Sequence, residues 1–426
     1  MKRILLVLST LIASASAAYA QPSTELVARI NQAAGLLCAN PGGFDTIFSP
    51  EFLKQVPASQ LTPTSTQYFD NYGGVIRWSY LDSSNVWGAK VRLVLSKGFS
   101  ADLSITASES GKHLITGLLL SAATPQLKSL DEVATKMSKL RGTTGFLVAK
   151  LKGTTIEPLA SWNPDTSLAL GSAFKLYVLA TLLKEVNAGM RRWDDVIYLD
   201  SASRVFPSGI MHGWPVGTAV TLATAATLMI SISDNTATDL LIHTLGRKYI
   251  EAMLHEAGNT HLERDIPFLT TLENFKLKET NHDFGKEYVA LTTEQKRTYL
   301  DTKIAKFPRD SVGHAEGMID KIEWFASPND IANVLKYIRD HSASGEGHRV
   351  RDILAVNPGL AVDNAKWDYI GYKGGSEPGV LNLSFLLRSK ATGEWYAVTG
   401  TWNDTGAALN ETNFEGYIQR AIELTP

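Results

Sequence analysis

From Phe174 to Leu183 the chain reads Phe-Lys-Leu-Tyr-Val-Leu-Ala-Thr-Leu-Leu, a run that is apolar on almost every side of a helix. Such a helix has no face to offer water, so the rest of the chain must fold around it. Ser172 and Lys175 stand at its mouth, just after Gly171. Three residues apart, they share a face of the first turn. The unpaired N–H groups and partial positive charge of a helix N-terminus lie beside the serine. Burial strips water from the lysine and lowers its pKa towards the value a general base needs. A serine hydroxyl becomes a nucleophile once such a base takes its proton. The pair also has a plainer reading: a capping serine, and a lysine reaching for solvent at the edge of a core helix.

Two further short motifs bear on that choice. Ser233-Asp234-Asn235 begins 61 residues after Ser172 (172 to 233), between the apolar segment Leu228–Ile232 and a helical stretch, Thr236 to Leu245, that Gly246 stops. That predicts helix, tight connection, helix with a glycine cap. Alone, the tripeptide is an ordinary helix start. Lys373-Gly374-Gly375-Ser376 lies between two strand-like stretches. Beyond Glu377-Pro378-Gly379, Leu381, Leu383, Phe385 and Leu387 alternate with Asn382, Ser384 and Arg388, which is strand periodicity. A third strand is expected from Trp395 to Trp402. Glycines at such a place let a substrate backbone approach a sheet edge; alone, they read as a hairpin corner.

In this order the three motifs resemble the Ser-x-x-Lys, Ser-Asp-Asn and Lys-Thr-Gly signature of class A β-lactamases and penicillin-binding proteins. The run from Met229 to Gly246 is similar to the family's corresponding segment as a whole, and the resemblance covers roughly residues 127–426. It implies a β-lactamase/transpeptidase-like fold and a serine acyl hydrolase without metal or cofactor. Ser172 would be the nucleophile, Lys175 its base, and Ser233 a relay of protons to the leaving group. Asn235 would hold a substrate amide and Asp234 would fix the loop. The N–H groups of Ser172 and Ser376 would form the oxyanion hole, Gly375 would leave room for the substrate backbone, and Lys373 would supply positive charge. One oxyanion donor is typically worth ~2.7–4 kcal/mol in the transition state. Gly374 departs from the pattern, removing a hydroxyl that helps bind a β-lactam carboxylate; Ser376 would have to substitute. Class A enzymes also hydrolyse the acyl-enzyme with a glutamate roughly 35 residues after the second motif. That register falls on Leu269. Glu273, a helical turn beyond, would serve only if the loop is rearranged, and otherwise reads as a surface glutamate starting a helix.

Lys2 and Arg3, an apolar run from Ile4 to Ile12 and Ala18-Tyr19-Ala20 read as a secretory signal peptide over residues 1–20. The apolar run is too short to span a bilayer, so the expected location is periplasmic or secreted, with no transmembrane anchor. Cys38, the single cysteine, cannot form an internal disulfide. A net charge of −2, spread along the chain, argues against a nucleic-acid partner. Nine histidines fall without metal-ligand spacing, and no H-E-x-x-H, G-x-S-x-G or phosphate-loop motif is present. A small-molecule β-lactam, ester or D-Ala-type substrate is the expected partner.

The mature length fits two domains, placed at 21–125 and 126–426, with the boundary near Ala122–Leu127. The first should hold helices at Thr24–Cys38 and Phe44–Gln55, then strands at Val75–Leu81, Trp87–Ser96, Phe99–Ser108 and Lys112–Ser121. Helices followed by a curved antiparallel sheet are similar to the α+β cone of nuclear transport factor 2 and ketosteroid isomerase, expected here as a docking or scaffold unit. In the second domain Ser129–Leu140 reads as a helix, 145–152 and 154–162 as a hairpin, and Asn413–Glu423 as a final helix. The two-domain layout resembles the β-lactamase-like (cephalosporin esterase-type) protein of clavulanic acid biosynthesis clusters and mycobacterial lipoproteins, which implies esterase or slow β-lactam chemistry. The second and third motifs stand 140 residues apart (233 to 373), and the excess, around Lys276–Trp324, is dense in Lys, Glu and Asp. It reads as a lid or, in preference, as a solvated insertion with a helix at Tyr288–Lys306. The alternative to turnover is a penicillin-binding sensor or D-Ala peptidase-like protein that acylates without efficient hydrolysis; a further one is a scaffold in which the cone carries the biology.

Overall fold

The structure, a computed structural model, describes residues 22–312, 317–360 and 362–426. The signal-peptide segment lies outside them. The chain separates into two compact units, the first ending at Gln126 and the second spanning Leu127–Pro426.

The first unit opens with α1 (Thr24–Gly35), which Ser23 caps by accepting the Leu26 N–H. Helix α2 (Phe44–Ile47) and α3 (Pro50–Gln55) replace the single helix expected over Phe44–Gln55. The break is local chemistry: Phe48 is extended, and Ser49 starts a new helix by capping Phe52 with Pro50 in its first turn. Helix α4 (Ala58–Tyr72) was not expected, since Pro63 and a Ser/Thr-rich stretch argue against it; Thr62 and Thr64 bond back to the carbonyls of Ala58 and Gln60. Strands β1 (Val75–Asn85), β2 (Gly88–Leu95), β3 (Phe99–Ala107) and β4 (Ile115–Leu120) form an antiparallel sheet in that order, with a short β5 (Thr124–Pro125) on β3. Val91, Leu93, Leu103 and Ile105 point inward with Leu26, Ile30, Phe48 and Tyr72.

The second unit begins with α5 (Leu130–Met137), β6 (Thr143–Lys152), β7 (Thr155–Trp162) and the short β8 (Leu168–Ala169). A 3₁₀ turn at Gly171–Phe174 leads into α6 (Lys175–Asn187), then β9 (Val196–Tyr198) and β10 (Ala219–Thr221). Helices α7 (Leu222–Ser231), α8 (Asn235–Leu245), α9 (Arg247–Glu256), α10 (Thr271–Leu277), α11 (Phe284–Val289) and α12 (Thr293–Tyr299) fill the middle. Instead of one helix over Tyr288–Lys306, α11 and α12 flank a Thr292 capping box, and α12 runs into a π turn at Leu300–Ile304. The chain ends with β11 (Phe325–Ala326), α13 (Pro328–His341), α14 (Arg349–Ala355), β12 (Trp367–Glu377), β13 (Val380–Ser389), β14 (Trp395–Asn403) and α15 (Glu411–Leu424).

The order β12-β13-β14-β6-β7 is antiparallel throughout and joins the two ends of the unit. One face packs on α5 and α15 through Val133, Met137, Phe414 and Ile418; the other meets the helical core around α6. The expected strand forms as β13, and all but one of its residues are buried, polar Asn382 and Ser384 included. Asn382 and Ser384 are satisfied internally by Thr401 and Thr399. The third motif also sits inside β12, not between strands, and Glu377-Pro378-Gly379 leads into the turn to β13.

Candidate active site

The apolar run becomes α6, with Leu176, Tyr177, Val178, Leu179, Leu182 and Leu183 buried and Phe174 stacked on Trp324 at 3.7 Å. Its packing fixes Lys175 at the start of the helix with no exposed surface. Lys175 Nζ donates to Ser233 O at 2.7 Å, Ser233 Oγ at 3.0 Å and Asn235 Oδ1 at 2.8 Å. Burial, reinforced by the charge of Lys373, holds its pKa well below the usual lysine range, against the pull of Asp239 and Asp234. Ser172, half-buried on the 3₁₀ turn, lines the cleft a turn away.

Ser233 adopts a left-handed φ of 57°, rare for a residue with a side chain. Asp234 over-determines that bend. One of its oxygens caps α8 at Ala237 N (2.9 Å), and the other accepts from Ile210 N (2.7 Å) and Met211 N (2.8 Å). The loop 205–211, which forms a wall of the cleft, is thereby tied to the second motif.

Lys373, almost fully buried, donates to Ser233 Oγ at 3.1 Å and to Gly374 O at 2.5 Å. Desolvation lowers its pKa to about 7. Two lysines from distant segments thus converge on one hydroxyl. A hydroxyl has two lone pairs, so both are engaged and its own proton is left for another acceptor.

The Gly171–Phe174 turn and β12 meet backbone to backbone. A Cβ on Gly375 would come within 2.1 Å of Leu170 O and 2.5 Å of Ser172 N, and one on Gly171 (φ 51°) within 3.0 Å of Ser376 N. Only glycines allow the two segments to approach so closely, which brings the N–H groups of Ser172 and Ser376 to one end of the cleft. At Gly374 a Cβ would meet Tyr372 Oη at 2.1 Å, so a phenol hydroxyl occupies the space of the absent threonine side chain. Tyr372 leans there from the same face of β12, its ring against Phe385 at 4.8 Å.

The segment after α9 is clamped by buried Asp239, which accepts from Thr271 N (2.7 Å), Thr271 Oγ1 (2.7 Å) and Leu272 N (3.0 Å). Leu269 is buried. Glu273 closes a capping box with Thr270 and pairs with Arg247 at 2.6 Å. It is a largely buried structural glutamate, not a surface one, and it does not line the cleft.

Sequence reasoning missed a cluster behind the nucleophile. Lys278, with no exposed side-chain surface, bonds Glu323 Oε1 at 2.6 Å and Glu377 Oε1 at 2.7 Å. Glu323 Oε2 accepts the Gly171 N–H at 3.2 Å. Burial, with Glu323 alongside, pushes the Glu377 pKa up to about 9. The Lys/Glu-dense stretch read as a solvated insertion therefore buries charge at both ends, at Lys276, Lys278, Glu279 and Glu323. Only the position of Glu377 directly after the third motif could have flagged it. On α10, Asn274 is 1% exposed, lines the cleft and has no partner for either amide atom among the described residues. Among the described residues no group of three or more His, Cys, Asp or Glu is placed to hold a metal, and no helix is long and apolar enough to cross a membrane.

Ser172, Ser233, Asn235, Lys373, Gly375 and Ser376 thus border one cleft of about 860 Å³, and Lys175 lies directly beneath it. The sequence profile of the Beta-lactamase enzyme family matches residues 127–356. Among solved structures the chain is similar to a β-lactamase from Sphaerobacter thermophilus (21% identity, 70% of this chain and 98% of that one, TM-score 0.49). It is also similar to PBP-A (15%, 69% and 93%, 0.48) and to a β-lactamase from Chitinophaga pinensis (18%, 69% and 96%, 0.48). The profile match takes in more than half of the chain, with the buried α6 and the first two motifs, and the mixed α/β second unit is β-lactamase/transpeptidase-like. The protein belongs to the β-lactamase enzyme family.

Proposed function

We propose that the protein is an exported active-site serine hydrolase that forms an acyl-enzyme at Ser172 on a β-lactam, an ester or a D-Ala-type peptide. The observation that carries this reading is the convergence of Lys175 and Lys373 on Ser233 Oγ beside Ser172. Lys175 as an ammonium spends its three protons on Ser233 and Asn235. Its depressed pKa favours the neutral amine, whose lone pair takes the Ser172 proton. Ser172 Oγ attacks the carbonyl, and the N–H groups of Ser172 and Ser376 hold the resulting oxyanion. The free proton of Ser233 passes to the leaving nitrogen or oxygen, and Lys175 replaces it. The first unit, with its helices followed by an antiparallel sheet, serves as a docking scaffold of the nuclear-transport-factor-2 type. The resemblance of the two-domain sequence layout to the clavulanic acid cluster protein favours esterase or slow β-lactam chemistry.

The intact mass after incubation with a penicillin, and turnover of penicillins, cephalosporins, short acyl esters and D-Ala-D-Ala peptides, test the reading. A Ser172 adduct or turnover is expected; neither adduct nor turnover with any of them would overturn it. A sensor that stays acylated is the second reading, favoured by the engagement of Glu273 in its capping box and with Arg247.

The lowered pKa of Lys373 sets a pH dependence. The group is charged below about 7 and neutral above. Recognition of a substrate carboxylate that depends on its charge should weaken as pH rises through 7, by up to roughly tenfold per unit. The acylation constant of a penicillin should fall relative to that of its methyl ester. Parallel profiles for acid and ester would remove Lys373 from carboxylate recognition.

A further inference from the structure

We propose that Glu377 is the base that activates water to hydrolyse the acyl-enzyme, with Asn274 as that water's second partner. The proposal rests on the acyl-enzyme reading above and names the step that reading leaves without a residue.

Four glutamates line the cleft: Glu323, Glu377, Glu411 and Glu415. Two of them are tied to the nucleophile's own supports. Glu323 already supports the turn, since one oxygen accepts from Lys278 and the other from Gly171 N and Trp324 N, and its side chain is 2% exposed. Among the described residues Glu377 takes a donor from Lys278 and shares a hydrogen bond with Glu323; it is 15% exposed, lines the cleft and directly follows Ser376, whose N–H faces the nucleophile turn. Its carboxylate therefore lines the same cleft as Ser172 and Ser376.

Asn274 supplies an independent observation. A buried amide with neither atom bonded is costly unless something polar fills the gap. Asn274 and Lys278 stand four apart around α10, on one face of that helix, and Lys278 is the residue that grips Glu377. The orphan amide and the carboxylate thus face the cleft from neighbouring positions. Water bound there would satisfy the amide and present a proton to the acid.

The step balances. Water oxygen forms a bond to the ester carbonyl carbon while its proton passes to Glu377, and the oxyanion rests on the Ser172 and Ser376 N–H groups. Collapse breaks the bond to Ser172 Oγ, which takes up the proton that Glu377 had accepted, relayed by solvent and the neutral Lys175 amine. The products are free serine and a carboxylic acid, with Glu377 ionised and Lys175 neutral as before. Glu323 stabilises the intermediate state by sharing the proton that Glu377 has taken. That sharing, burial and the opposing charge of Lys278 set the basicity of Glu377; Lys373, Arg309, Glu411 and Glu415 line the same cleft.

Glu377→Gln separates the two half-reactions. Stopped-flow acylation by a penicillin or a chromogenic ester should stay within about threefold of wild type, while deacylation should slow roughly 10²–10⁴-fold and leave a trapped adduct. In the wild type, deacylation should rise about tenfold per pH unit through the neutral range and level near pH 9, and the variant should lose that rise. Unchanged deacylation in Glu377→Gln would overturn the proposal. So would an equal fall of both half-reactions, which marks a structural prop for Gly171. If the variant does not fold, a flat wild-type deacylation profile between pH 7 and 9 overturns it as well. A wild type that forms no adduct and turns nothing over overturns the acyl-enzyme reading, and this proposal with it.

Discussion

Ser172→Ala should abolish covalent labelling by a fluorescent penicillin or a phosphonate ester and cut turnover roughly 10⁶-fold, the scale on which removal of a catalytic serine acts. The substitution removes one oxygen from a half-buried position on the 3₁₀ turn. It leaves Phe174 on Trp324, the Gly171–Glu323 bond and the core of α6 in place. Melting temperature should therefore hold while labelling disappears. Undiminished labelling of a folded alanine variant would place the nucleophile elsewhere.

Lys175→Met should slow acylation by roughly 10²–10⁴-fold, about 3–5.5 kcal/mol of barrier. Methionine fills much the same buried volume, so the core around α6 stays packed. The change does strip a donor from Ser233 and from Asn235, so some loss of stability is expected as well. The decisive comparison is between acylation and melting temperature. A folded variant that acylates at the wild-type rate would show that Lys175 only props up Ser233.

The residues read as a site on the sequence share a property: each sits in a short motif whose neighbours already announce local structure. Ser172 and Lys175 open an apolar run, and Asp234 caps a helix. What was not legible depends on contacts made at a distance. Lys278, Glu323 and Glu377 occupy three separate segments, and no local pattern says that they neutralise one another. A stretch rich in Lys and Glu looks solvated unless its partners are known. Tyr372 shows the same limit, because its hydroxyl gains meaning only where the missing side chain of Gly374 leaves room. In the first unit the strands follow from alternation. Helix α4 hides because its Ser/Thr-rich sequence buries only Tyr72 and stabilises itself through bonds to its own carbonyls. Asn382 and Ser384 mark the strand by their alternation, but their burial was not legible, because their partners lie on the adjacent strand.

The backbone contact between the Gly171 turn and Gly375 has a consequence for how the protein comes to life. The two segments that would form the proposed oxyanion hole are made early and late in synthesis, and on that reading neither works without the other. The sheet that brings them together pairs β14, near the C-terminus, with β6, near the start of the same unit. Such long-range pairing is slow compared with helix formation. Helices α6 and α8 can therefore be complete while the chain is still inert. On the proposed mechanism, reactivity then belongs to the finished molecule alone, and a chain caught part-way through folding would carry the serine motif without the means of attacking the acyl groups around it.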